Sequence, residues 1–304
     1  MGLAIWLTGS AVCAAADPSQ SNGLGAGTFL STDSEGFNTR RFALEYFPRY
    51  RSADSLSGLR YTSHTYNQNN WSRSGQQLSL VHREINPATA YGWNVDVGMF
   101  QQGGHSLLTL ETNYRRALAE RTGVELFATR DWVETPIALD NGIHFTFLGA
   151  AIEQGIGSRV TLLGLAGRQI FSDDNVRNHR RFKVVYQPDL DSGLTLQMRY
   201  RAYTSAGGTV GGAYFNPVRY EEIMPALGWR RKIQDWTCNL TAGGGRQKIT
   251  TDPYSPTYLF EAGLQSPPGT PYSMRVRAGV TRSAAFLSAD YRYSYLQGEW
   301  IVSF

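Results

Sequence analysis

The sequence predicts an all-β fold, a transmembrane antiparallel β-barrel of about 16 strands. Three observations carry that expectation: repeated segments of alternating apolar and polar residues, connections that are short on one side and longer on the other, and an alternating last strand that ends on Phe304. The 304 residues include 32 Gly, 17 Tyr, 14 Phe and 7 Trp, with 12 Pro and 2 Cys. No run of eighteen or more apolar residues occurs, which excludes a helical membrane protein. The formal charge is +4, and Lys and Arg are dispersed among acids rather than gathered in a stripe, so no nucleic-acid partner is expected.

Residues 1–16 read as a signal-like segment without a basic start: Leu3 to Leu7 are largely apolar, and Ala14-Ala15-Ala16 offers a small-residue cleavage site. Residues 17–304 are then the barrel. Val12 makes Cys13 a poor lipid-attachment site, and cleavage after Ala16 would leave Cys238 as the sole thiol, with no intrachain disulfide.

The expected strands span 24–34, 38–51, 57–68, 71–85, 90–101, 105–116, 121–133, 142–153, 158–170, 177–187, 192–205, 218–231, 235–248, 256–265, 271–283 and 289–304. In 192–205, Leu194, Leu196, Met198, Tyr200 and Ala202 share one face, and Thr195, Gln197, Arg199, Arg201 and Tyr203 share the other. Tyr272, Met274, Val276, Ala278 and Val280 alternate in the same way with Ser273, Arg275, Arg277, Gly279 and Thr281. Segments of ten residues or more can cross a bilayer when tilted, and many apolar faces begin or end on an aromatic residue, as a membrane girdle requires. Even-to-odd connections such as Ala119-Glu120 and Ile233-Gln234 are short, whereas 134–141, 205–217 and 248–256 are longer. That asymmetry places both termini in the periplasm of a bacterial outer membrane.

Leu296, Trp300, Val302 and Phe304 share a face of the last strand. A terminal Phe on such a strand resembles the signal read by the barrel-assembly machinery, so Phe304, Val302 and Trp300 are the expected assembly signal. Outer-membrane lipid and lipopolysaccharide are the expected surroundings.

The run Tyr214-Phe215-Asn216-Pro217 with Tyr220, then a strand ending Trp229-Arg230-Arg231, then a Gly-rich strand, resembles the barrel region of exopolysaccharide-export porins. These are the poly-β-1,6-N-acetylglucosamine exporters, with the cellulose-synthase outer-membrane subunit as the close second. The resemblance is firmest over 212–247. It implies a pore that exports a polysaccharide, most closely a poly-N-acetylglucosamine-like one, with no cofactor. Members of that family carry periplasmic helical repeats ahead of the barrel. The chain therefore reads as a stand-alone relative or a fragment, and partner docking by those repeats is not carried over. A Gly-rich loop bearing Tyr214, Phe215, Pro217 and Tyr220 could fold into the mouth as a gate or a saccharide platform; an extracellular loop without a role is the plainer reading.

On the polar faces, acids gather early (Glu45, Asp96, Glu111 and Glu125, with Glu261 later), and bases gather late (Arg181, Lys183, Arg199, Arg201, Arg230, Arg275 and Arg277). Such charges can simply pair with one another, or they can form an electrostatic track for a polymer. A partly deacetylated, cationic polymer would favour the acids and an anionic one the arginines, while a neutral one would rely on Tyr66, Phe100, Tyr203 and Tyr293. His64, His82, His105, His144 and His179 show no metal-ligand spacing, so neither a metal site nor an enzyme is expected. The alternatives are a general porin or small-solute channel and, more distantly, an outer-membrane hydrolase that assembles His105, His144 or His179 with Ser and Asp at the rim.

Overall fold

The computed structural model describes residues 21–304 apart from 207–209 and 286–287. The signal-like segment 1–16, with Cys13, lies outside the described residues. Sixteen strands follow one another: β1 (Ser21–Asp33), β2 (Asn38–Ser52), β3 (Ser55–Gln68), β4 (Trp71–Ile85), β5 (Gly92–Gln102), β6 (His105–Ala119), β7 (Thr122–Trp132), β8 (His144–Ile156), β9 (Val160–Phe171), β10 (Val176–Tyr186), β11 (Leu194–Ser205), β12 (Arg219–Ile233), β13 (Trp236–Ile249), β14 (Ser255–Gln265), β15 (Tyr272–Ala285) and β16 (Ser288–Ser303). Each pairs antiparallel with the next and β16 returns to β1, so the sheet closes into a barrel. Every expected strand is present, with its ends within a few residues of the expected ones.

The alternation decides which wall faces where. On β2 the exposed large apolar residues are Phe42, Leu44 and Tyr46, while Thr39, Glu45 and Phe47 are buried. Leu44 is 69% exposed and Leu80 on β4 is 64% exposed. A soluble sandwich would turn those side chains into its core. Here they form an outer apolar band, and the polar wall faces the lumen. The shortest strands have 11 residues, long enough to cross a hydrocarbon layer when tilted.

Tight turns fix the register. Gln234 and Asp235 join β12 to β13 with φ of 48° and 67°, the left-handed pair of a two-residue hairpin that matches strand twist. Between β2 and β3 the register shifts from Tyr46 to Arg49. Gly58 sits opposite that bulge, where a Cβ would lie 2.0 Å from the Tyr46 carbonyl oxygen.

Two connections are unlike the rest, and both lie at the barrel end away from the termini. The β7–β8 connection, 133–143, carries a short helix, α1 (Pro136–Asp140), and the β11–β12 connection covers 206–218. At the opposite end, Phe47, Tyr50, Leu56, Val81 and Ile301 form a buried apolar layer on the inner wall.

Candidate functional site: two loops folded into the lumen

The helix in 133–143 was not expected, yet its signals are local. Thr135 is extended (φ −143°, ψ 155°) and its side chain accepts from the Ala138 N–H at 3.4 Å, so it caps the helix; Pro136 follows where a missing N–H costs nothing. Ala138 and Leu139 are fully buried. Leu139 packs with Tyr66, Phe100, Leu107 and Trp132. A helix this short is held by such tertiary contacts rather than by propensity.

Polar anchors surround that packing. Arg41 on β2 forms an ion pair with Glu134, and the Tyr66 hydroxyl on β3 donates to the same carboxylate at 3.0 Å. On β4, the Trp71 indole N–H donates to Asp140 at 2.9 Å and Arg73 pairs with that carboxylate. The Gln102 amide on β5 donates to the Leu139 carbonyl at 2.9 Å. These partners stand on consecutive strands and point inward, so the loop lies inside the mouth against the β2–β5 wall.

The second loop crosses to meet it. Tyr214 stacks on Phe171 with centroids 4.5 Å apart and planes 8° apart, and its hydroxyl donates to Asp173 at 2.8 Å. Burial raises the pKa of that hydroxyl, which keeps it a donor. Asn175 donates to the Tyr214 hydroxyl at 3.0 Å and to Asn216 at 2.9 Å, and Arg177 donates to the Phe215 carbonyl at 2.5 Å. Ala213 and Tyr214 join the buried cluster of Val133, Ala138, Phe145, Phe147 and Phe171, and the Thr135 hydroxyl donates to the Ala213 carbonyl. The two loops form one plug.

The hydrogen bond from Arg73 holds the Asp140 carboxyl below the usual carboxylate range. A carboxylate with a depressed folded value stabilises the docked loop above its unfolded value of about 3.9 and loses that contribution as pH falls through the lower folded one. Asp140 is partly exposed, so the effect is modest. Amide exchange of 136–142, corrected for intrinsic rates, should therefore accelerate below about pH 4. Asp140→Asn should flatten that response; an unaltered acid response in the variant would remove Asp140 from the anchor.

Of the residues expected in a gating loop, Tyr214, Phe215 and Pro217 lie in the β11–β12 connection. Tyr220 does not. It stands on β12, buried and stacked on Tyr203 at 4.9 Å, with its hydroxyl donating to Glu222 at 2.8 Å. Alternation along β12 turns it to the lumen side, so it belongs to the wall and not to the loop.

All twelve expected lumen charges occupy inward registers. Glu45 and Asp96 flank Arg60, at 2.5 and 2.6 Å. Glu111, directly opposite Asp96, is exposed to the lumen, and Glu125 faces Arg115 across β6 and β7. Glu261 pairs with Arg277 at 2.6 Å, and Arg275 with Asp54 at 2.6 Å. Arg201 pairs with Glu222 at 3.0 Å. Arg199 lies directly opposite Lys183. The acids missed in the sequence, Glu134, Glu153, Glu222 and Glu299, are partners of these or neighbouring arginines. The alternation of their strands or their flanking position could have revealed them.

At the closure, the backbone N–H of Phe304 donates to the Asn22 carbonyl at 2.9 Å, and Trp300, Val302 and Phe304 are exposed on the outer face. Among the described residues, no group of three His, Cys, Asp or Glu side chains is placed to hold a metal ion. A Ser–His contact does exist: Ser57 Oγ lies 2.7 Å from His82 Nδ1 on the outer surface. Glu84 nearby is engaged by Ser55 instead, so no hydrolytic triad forms there. His105 and His144 do stand at the plugged rim, where they contact the Asp140 and Gly142 carbonyls, while His179 lines the lumen beside Gln169.

No protein-family model matches the sequence, and no curated protein matches it. Among solved structures, a bacterial polysaccharide outer membrane secretin superposes with a TM-score of 0.68 at 12% identity, over 95% of this chain and 100% of that one. The two share a fold. OccK11 (OpdR) of Pseudomonas aeruginosa aligns over 94% of this chain and 96% of that one at 10% identity, with a TM-score of 0.46. At these identities the likeness concerns architecture, a closed sixteen-strand barrel of the outer-membrane type.

Proposed function

We propose that this chain is a bacterial outer-membrane pore that exports an exopolysaccharide. The observation that carries the reading is the plug: two loops from one end of the barrel fold inward and lock together, while the remaining wall keeps charged and aromatic side chains turned to the lumen. A constriction with weak, repeated polar and aromatic contacts suits conduction of a polymer. The protein whose fold this chain shares is a polysaccharide outer-membrane protein, which supports the same reading. A poly-β-1,6-N-acetylglucosamine-like cargo is the version implied by the sequence resemblance.

The outer wall supports an orientation. Arg40, Arg168, Arg180, Arg246 and Arg292 are exposed on the outer face, each near the plugged end of its strand. Arg282 and Arg292 stand directly opposite one another. Arginine facing hydrocarbon is costly at mid-depth and tolerated near the interface, where anionic head groups favour it. This crescent suits the phosphates of lipopolysaccharide, which would turn the plug outward and the termini to the periplasm, where the barrel-assembly machinery receives Phe304.

The test is planar-bilayer conductance of the purified barrel with added oligosaccharides, alongside labelling of a cysteine placed at Thr251 in intact cells. Reversible, length-dependent blockade and surface labelling are expected. Free passage of small solutes with no blockade by any saccharide would make the chain a general small-solute channel. Labelling only after the outer membrane is opened would invert the orientation.

A further inference from the structure

The lumen carries a feature that neither pairing of charges nor the plug accounts for. On β10 and β11, Arg181 lies directly opposite Arg201, and Lys183 directly opposite Arg199. All four occupy inward registers, between outward Phe182 on β10 and outward Met198 and Tyr200 on β11. Like charges directly opposite one another in an antiparallel pair are destabilising, so two such rungs in succession run against the fold's own stability.

Among the described residues, the nearby acids engage the Arg201 rung and leave the Lys183–Arg199 rung without an ion pair. Glu222 on β12 accepts from Arg201 at 3.0 Å, from the Tyr220 hydroxyl at 2.8 Å and from Thr257 at 3.3 Å. Glu261 on β14 accepts from Arg277 at 2.6 Å and from the Tyr295 hydroxyl at 2.7 Å. Among the described residues, Lys183 and Arg199 form no ion pair, and both are half-exposed to the lumen. The facing wall is different. There Arg60 on β3, eight strands away from β11, sits between Glu45 and Asp96 and pairs with both. The plug spans the mouth above both walls, since its anchors come from β2 to β5, its apolar packing from β7 to β9, and its second loop is held by Asn175 and by Arg177 on β10. The two rungs stand deeper on β10 and β11 than Arg177, so a saccharide that has entered past the plug meets them in the lumen.

We infer that Lys183 and Arg199, with Arg181 and Arg201 as the adjoining rung, form a binding site for the acidic groups of an anionic saccharide. The rungs are two residues apart, about 6.6 Å along the strands, so they present a short track and not a single point charge. One step toward the plug on the same strands, Tyr203 stacks on Tyr220 and His179 packs beside it, so an aromatic cluster adjoins the cations. Arginine matches carboxylate and sulfate geometry with paired N–H donors, and lysine adds a mobile point charge.

This inference rests on the reading of the chain as a saccharide pore, and its test separates the two. Hexamers of galacturonate, maltose-type glucose and glucosamine, which are anionic, neutral and cationic, are compared as blockers of the full-length barrel in planar bilayers. Their binding to the detergent-solubilised barrel is measured in parallel by calorimetry. The anionic hexamer is expected to bind most tightly. The double variant Lys183→Gln, Arg199→Gln should weaken it about tenfold or more while leaving the neutral hexamer unchanged, because charge-assisted contacts are what it removes. Retention of the heat-modifiable gel shift shows that the variant barrel is folded. Equal binding of all three hexamers, preference for the cationic one, or an anionic hexamer indifferent to the double variant overturns the site while leaving a saccharide pore intact. No binding and no blockade by any hexamer overturns the pore reading, and the site with it.

Discussion

Replacing Glu134 with alanine is expected to raise the single-channel conductance severalfold, because it cuts the anchor that holds the β7–β8 loop in the mouth. Glu134 receives both the Arg41 ion pair and the Tyr66 hydroxyl. Its carboxylate is mostly sheltered, as is the Arg41 guanidinium, with side-chain exposures of 12% and 24%. Removing one partner of such a pair leaves the other charge uncompensated, a loss of roughly 3 kcal/mol in loop docking. The apolar contacts of Ala138 and Leu139 remain, so the variant loop should fluctuate between docked and released and produce noisy, larger openings. Excision of 206–218 should have a smaller effect: that loop is held by Thr135 of the first loop, by Phe171 on β9 and by Asn175 and Arg177 of the β9–β10 hairpin, whereas the first is anchored by polar side chains from four strands. Planar-bilayer recordings of the two variants provide the comparison. A larger opening from the 206–218 excision than from Glu134→Ala would reverse the hierarchy, and no change in either would mean that the plug does not gate the current.

The barrel was legible in the sequence because one physical rule, the flip of side chains at every strand residue, governs all sixteen strands at once. The segment from Leu194 to Tyr203 shows which residues turn outward, and the structure exposes Leu194, Leu196, Met198 and Tyr200. The lumen face came with it, so Glu45, Asp96, Arg199 and Arg277 fell in the expected registers. The plug was harder to read. A loop's path into the barrel is set by contacts distant in sequence, such as Arg41 with Glu134 and Trp71 with Asp140, which no period reveals. Aromatic content drew attention to 214–220, and Tyr214 does pack inward, but Tyr220 proved to be a wall residue. The quieter segment 134–141 held the main anchor. Its Thr135-Pro136 start was a helix signal of ordinary kind, overlooked because a five-residue helix scarcely has a periodicity.

The last strand permits the sharpest test of which wall is which, because neighbouring residues there meet opposite surroundings. Ile301 is fully buried in the inner layer with Phe47, Tyr50, Leu56 and Val81, and stands in register with Gly25 on β1 and Ser273 on β15. Trp300 beside it is 56% exposed on the outer face. Ile301→Asp would place a carboxylate in an apolar layer whose nearest inward acid, Glu299, already engages Arg83 and Arg275. The loss expected is about 3–5 kcal/mol, the range for an uncompensated buried charge. Ile301→Ala should cost less, about 2–4 kcal/mol, since it removes only packing. Trp300→Asp lies near the strand's end on the lipid side, where an acid costs no more than about 2 kcal/mol. Urea unfolding of the three variants in lipid vesicles, followed by intrinsic fluorescence and the heat-modifiable gel shift, measures the order. If Trp300→Asp proved more costly than Ile301→Asp, the assignment of inner and outer walls on β16 would be wrong. Because every strand shares one closed register with β16, the lumen charges and the cationic track on β10 and β11 would fall with it.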